Sequence, residues 1–190
     1  MVRSKLSVFG VWALLLVSAI THAEVVESFD LETYEVDQET NQTLLQAINL
    51  VSPIRAKGRV FHGYTKWFIT WNYRWWEEAD GQCRITSVQV SLDVDMTLPE
   101  LDEATPSGAA EFRRYASNLR RHEDGHQDLA RQAAERIDKG IRNLATMASC
   151  DALERAANAL GHAVLEETRR VERQYDVDTR HGCTQGACLL

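Results

Sequence analysis

A chain of 190 residues, 26% of them charged, is sized for one domain rather than two. Its formal net charge of −7 gives it no electrostatic reason to bind nucleic acid or an anionic membrane surface.

Residues 1–23 read as a secretory signal peptide. "MVRSK" carries two positive charges, "LSVFGVWALLLVSAI" is apolar but short for a membrane span, and "THA" offers small residues before Glu24. An uncleaved anchor is the alternative. Cleavage after Ala23 leaves a single domain, residues 24–190, with a formal charge of −9. No second apolar run of membrane length follows. The expected location is therefore the periplasm or the cell exterior.

"VVESFDLETYEV" (25–36) reads as extended, with a strand toward its end. "NQTLLQAINLV" (41–51) predicts a short helix with Leu44, Leu45 and Ile48 on one side, ended by Pro53. From Gly58 to Trp76 the period changes to two. Trp67, Ile69, Trp71, Tyr73 and Trp75 share one face, and the core claims Trp71 and Tyr73. Of the adjacent Trp75 and Trp76, alternation exposes one. An Asp-Gly turn follows, then a second alternating strand through Val88, Val90, Leu92, Val94 and Met96. The two predict an antiparallel hairpin. Thr105 or Ser107 caps a long helix, expected from Ala109 to about Ala148. A second helix, antiparallel to it, carries Leu153, Ala157, Leu160, Val164, Val171 and Tyr175 on one face. Strands first and helices after predict an α+β fold: a small antiparallel sheet packed on the two helices.

Four cysteines in an exported chain, Cys83, Cys150, Cys183 and Cys188, point to disulfides. No C-x-x-C pair supports a cysteine zinc site. Cys183 and Cys188 can close a small loop, which leaves Cys83 for Cys150. Four cysteines allow three connectivities, and all three stay open.

The stretch "RRHEDGHQDL" (120–129) carries the chemistry. His122 and His126 are four apart and so lie on one helix face. Two imidazoles at that spacing can share a zinc ion, with Glu123 as general base toward a bound water. Both histidines fall on the apolar stripe between Leu119 and Leu129, where buried imidazoles need polar partners. Two core histidines bonded to other side chains are the plainer alternative.

A catalytic zinc needs a third ligand. The metzincin continuation is missing, because Leu129 and Gln132 stand where glycine and the third histidine would be. His62 reads as a surface residue, His162 as solvated, and Glu166 or Glu167 as solvated charges that could serve. His181 has better context. Cys150 is 24 residues from His126 and 25 from Tyr175, so an antiparallel second helix brings the tail back to the histidine pair.

Here the chain resembles a known family, the predicted secreted zinc-dependent proteases of bacteria with the DUF922 domain. The matching features are "GYT" (63–65), the hairpin with Cys83, "TLPE" (97–100), "RHEDGHQDLA" (121–130), Cys150 and "YDVDTRHG" (175–182). The resemblance implies His122, His126 and His181 as zinc ligands and Glu123 as catalytic base. It makes Tyr175, Asp176 and Thr179 neighbours of the site. The resulting expectation is an exported zinc peptidase acting on a peptide or protein. A non-enzymatic zinc-binding module of the cell envelope, and a disulfide-stabilised interaction domain without metal, are the alternatives.

Overall fold

The computed structural model describes residues 25–189, so the signal-peptide reading lies outside the described residues. The order is β1 (Val26–Asp37), α1 (Leu44–Val51), β2 (Arg55–Ala56), β3 (Arg59–Val60), β4 (Tyr64–Glu77), β5 (Cys83–Glu103), α2 (Pro106–Arg142) and α3 (Cys150–Thr179). A 3-10 turn follows at Cys183–Gln185. The class is α+β, with a mixed three-stranded sheet ordered β1-β5-β4, a two-stranded ribbon and three helices.

The all-antiparallel sheet expected from the sequence is corrected to a mixed one. β4 and β5 pair antiparallel across the turn at Gly81, but β1 pairs with β5 in parallel. Alternation specifies which side chains face the core. It says nothing about the direction of the strand that covers the second edge of β5. β1 is also longer than predicted, since its whole length satisfies that edge. Trp75 and Trp76 are both exposed, not one of the two, because a register shift between Arg74 and Trp75 interrupts the alternation.

The inner face of β5 (Val88, Val90, Leu92, Val94) packs on Ala130, Ala133, Ala134, Ile137 and Ile141 of α2. A fully buried aliphatic such as Leu92 or Ile137 contributes about 1.5–3 kcal/mol. α3 covers the aromatic strand: Trp71 lies over Gly161 and donates from Nε1 to Asn158 at 3.0 Å. A second cluster joins Val36, Ile48, Met96, Phe112, Tyr115 and Leu119. The turn from His122 to Gln127 falls on α2 between these two clusters, where apolar packing gives way to polar side chains.

α2 starts at Thr105, whose hydroxyl caps the Gly108 amide, and Pro106 takes the first turn. It ends at Arg142, short of the expected Ala148. The following residues leave the helix so that Met147 can bridge to Cys83, next to the Cys83–Cys150 disulfide. Cys183 and Cys188 form the second disulfide.

Candidate metal centre

Helical spacing turns both histidines of α2 toward the end of α3. His122 is buried, and the His126 side chain is 12% exposed. Their Nε2 atoms lie 3.4 and 3.2 Å from one oxygen, Asp176 Oδ1. His181 Nδ1 approaches the same oxygen at 3.5 Å. His122, His126 and Asp176 each offer a ligand atom within 4.8 Å of the others. Asp176, expected only as a neighbour, stands at the focus of three imidazoles. His181 sits beside it, 44% exposed and edge-on to Phe61.

The other nitrogen of each α2 histidine is also held. His122 Nδ1 is 2.9 Å from Gln185 Oε1, while the Gln185 amide donates to Tyr175 Oη at 2.9 Å. His126 Nδ1 faces Glu172 Oε1 at 3.5 Å, and Trp67 Nε1 donates to that carboxylate oxygen at 2.6 Å. Such outer partners fix ring orientation in metal sites. With Nδ1 turned to Gln185, His122 Nε2 is the nitrogen that faces the Asp176 carboxylate.

The electrostatics agree. Burial pulls the His126 imidazole down, but hydrogen bonds to Asp176 and Glu172 outweigh it and carry it up to about 9. Burial pushes Asp176 up, and hydrogen bonds from His122 and His126 more than reverse this, leaving its carboxyl well below the usual range. Imidazole nitrogens with a carboxylate form a donor set suited to zinc rather than to magnesium or calcium.

Glu123 is 4% exposed. Burial pushes its carboxyl up, against the pull of His126. Thr65 Oγ1 donates to its Oε2 at 2.8 Å, leaving Oε1 without that bond. Oε1 occupies space beside Gly63, where a Cβ would come within 2.6 Å. The "GYT" segment thus shapes the pocket of Glu123.

Tyr175 stacks on His122 with ring centroids 5.1 Å apart, and its hydroxyl donates to the His122 carbonyl at 3.2 Å. That hydroxyl passes so close over Gly125 that a side chain there would collide with it. The glycine of "HEDGH" makes room for the tyrosine. Thr179 has a local role: its hydroxyl donates to the Tyr175 carbonyl at 2.7 Å and accepts from the Gly182 amide. It ties down a turn in which Arg180, His181 and Gly182 all have positive φ.

His62, read from sequence as a surface residue, is half-buried, with Nδ1 2.5 Å from Tyr115 Oη and Nε2 2.9 Å from Asn49 Oδ1. Both ring nitrogens are occupied by protein. His162 is exposed against the Trp71 edge, and Glu167 pairs with Arg136. Thr65 was quoted in the sequence only as part of "GYT", with no role given, and Glu172 and Gln185 went unnoticed. Of those two, Glu172 left a signal, one helical turn before Asp176 on the same face.

An open cleft of about 1090 Å³ leads to the centre, lined by the β2–β3 ribbon, the first residues of β4, and α3. Buried acid, paired imidazoles and an accessible cleft together can bind a metal ion and handle a proton beside it. No curated protein and no solved structure shows a significant match to the chain. A family model described as "Bacterial protein of unknown function (DUF922)" matches residues 31–182, spanning the sheet, both long helices and the centre just described, and the chain belongs to that family.

Proposed function

We propose that the protein is a zinc-dependent peptidase working outside the cytoplasm. The observation that carries this reading is Glu123, a buried carboxylate on the same helical turn as two histidines, at the inner end of an open cleft. Two disulfides suit an oxidising compartment. No helix among the described residues is long and apolar enough to cross a membrane.

His122 and His126 would hold zinc through Nε2, and Asp176 and His181 both stand near the third position. Zinc, when bound, would supply two things there: a water with its pKa lowered toward about 7, and polarisation of a carbonyl. Glu123 accepts the proton of the attacking water at Oε1 and returns it to the leaving amine. Thr65 holds the other carboxylate oxygen, so the accepting oxygen keeps one orientation. Gln185 and Glu172 keep the imidazoles turned toward the centre.

A second reading draws on the gathering of four donors, His122, His126, Asp176 and His181. Four protein ligands describe a closed structural zinc site, in which the ion pins the end of α3 to α2. Metal content and turnover of the same variants separate the two. A peptidase binds about one zinc per chain, and Glu123→Gln keeps the ion while turnover falls by at least ~100-fold. A structural site also keeps its zinc in that variant, but chelation then lowers the melting temperature and no peptide is cut by the parent chain. Zinc lost in Asp176→Ala but kept in His181→Ala assigns the third position to the carboxylate, and the reverse assigns it to His181. No zinc after reconstitution sinks both readings.

A further inference from the structure

The chain has 28 acidic and 21 basic residues, yet its cleft carries the opposite balance. Arg55, Arg59, Lys66, Arg169 and Arg173 all line it. Among the described residues, none of the five takes part in an ion pair, whereas Arg84, Arg120, Arg131, Arg136 and Arg142 each pair with a carboxylate elsewhere. Of the acids lining the cleft, Glu123, Glu172 and Asp176 are engaged by Thr65, Trp67 and the imidazoles. By formal charge the cleft holds five cations against four carboxylates, three of which are committed to the centre.

Arg169 and Arg173 are four apart on α3 and both exposed. Like charges at that spacing repel, so the pair costs stability unless an anion lies between them. Arg55 and Arg59 belong to a different element, the β2–β3 ribbon. With Lys66 on β4, positive charge therefore reaches the cleft from three elements. Tyr64–Trp67 of β4, an edge strand of its sheet, line the same cleft. The free backbone groups of an edge strand can pair with an extended chain.

We propose that the cleft takes an extended acidic peptide segment, whose Asp or Glu side chains are bound by Arg169 and Arg173 on α3 and by Arg55 and Arg59 on the ribbon. Cleavage of that segment rests on the peptidase reading, whereas its binding rests on the cleft alone. Guanidinium groups suit this task because they grip carboxylates with two parallel hydrogen bonds.

The test uses labelled decapeptides in matched pairs, one rich in Glu and the other carrying Gln at the same positions. Binding to the Glu123→Gln protein is followed by fluorescence anisotropy, and cleavage by the parent chain by mass spectrometry. The Glu peptide is expected to bind about tenfold tighter than its Gln partner at low salt, with the gap closing as salt screens the charges. The double variant Arg169→Gln/Arg173→Gln should lose most of that gap and leave the Gln peptide unaffected. Both side chains are exposed, so its melting temperature should hold; if it does not, Arg55→Gln/Arg59→Gln serves instead. Equal affinity for the two peptides overturns the inference. So does tight binding to phosphatidylglycerol vesicles without binding of the Glu peptide. Selective binding with no cleavage upholds the inference and overturns the peptidase reading.

Discussion

Gly63 has no side chain, and Glu123 occupies the space this leaves. A methyl group there must push either the carboxylate or the strand, an overpacking cost of about 1–3 kcal/mol. Gly63→Ala is therefore expected to lower kcat/KM by about tenfold or more through the misplaced carboxylate, with zinc content unchanged. Equal kcat/KM would mean that Glu123 tolerates displacement and is not the base. The residues legible in the sequence here are the local ones. His122, Glu123 and His126 declare themselves because helical spacing alone puts them together. Asp176 was read as a neighbour when it stands at the focus, and Gln185 could not be read at all. It meets His122 across 63 positions of chain, and no local pattern encodes such a meeting. His62 was misjudged for the same reason, since Tyr115 and Asn49 reach it from other elements.

Among the elements, α3 does two jobs at its two halves. Its first half packs on the aromatic strand, where Gly161 admits the Trp71 ring. A Cβ there would lie 2.5 Å from Trp71 Cζ2. Gly161→Ala gains helix propensity of about 1 kcal/mol but must displace an indole, at about 1–3 kcal/mol, so a net loss of up to about 2 kcal/mol is expected. Thermal denaturation should show a melting point lower by up to about 8 °C; a rise would mean the ring gives way freely. The second half of α3 delivers Glu172, Tyr175 and Asp176. Its apolar stripe was legible as Leu153, Ala157 and Val164, but the stripe also uses Gly161 and Thr168, residues that hydrophobic periodicity overlooks. Strand faces were legible in the same way. The parallel direction of β1 was not, because a strand reads the same to its neighbour's side chains whichever way it runs.

On the scale of the whole molecule, the two disulfides sit at opposite ends of α3. Cys150 is 26 residues, or about 39 Å of helix, from Asp176. The Cys83–Cys150 bridge spans 67 positions and should contribute about 4 kcal/mol by restricting the unfolded chain, against about 2 for the Cys183–Cys188 loop. Replacing Cys83 and Cys150 by Ala should therefore lower the melting point strongly and leave zinc affinity unchanged. Replacing Cys183 and Cys188 should lower the melting point about half as much and weaken zinc binding, because that loop carries Gln185 to His122. Calorimetry with a zinc-competition assay distinguishes the two, and a swapped pattern would refute the division of labour. The centre itself joins the middle of the chain to its C-terminal part: its histidine pair lies on α2, and Asp176 and Gln185 follow His126 and His122 by 50 and 63 positions. During translation at the usual rate, those partners arrive about 3–13 s later. A nascent chain thus presents its histidine turn while the groups that complete it are still unmade.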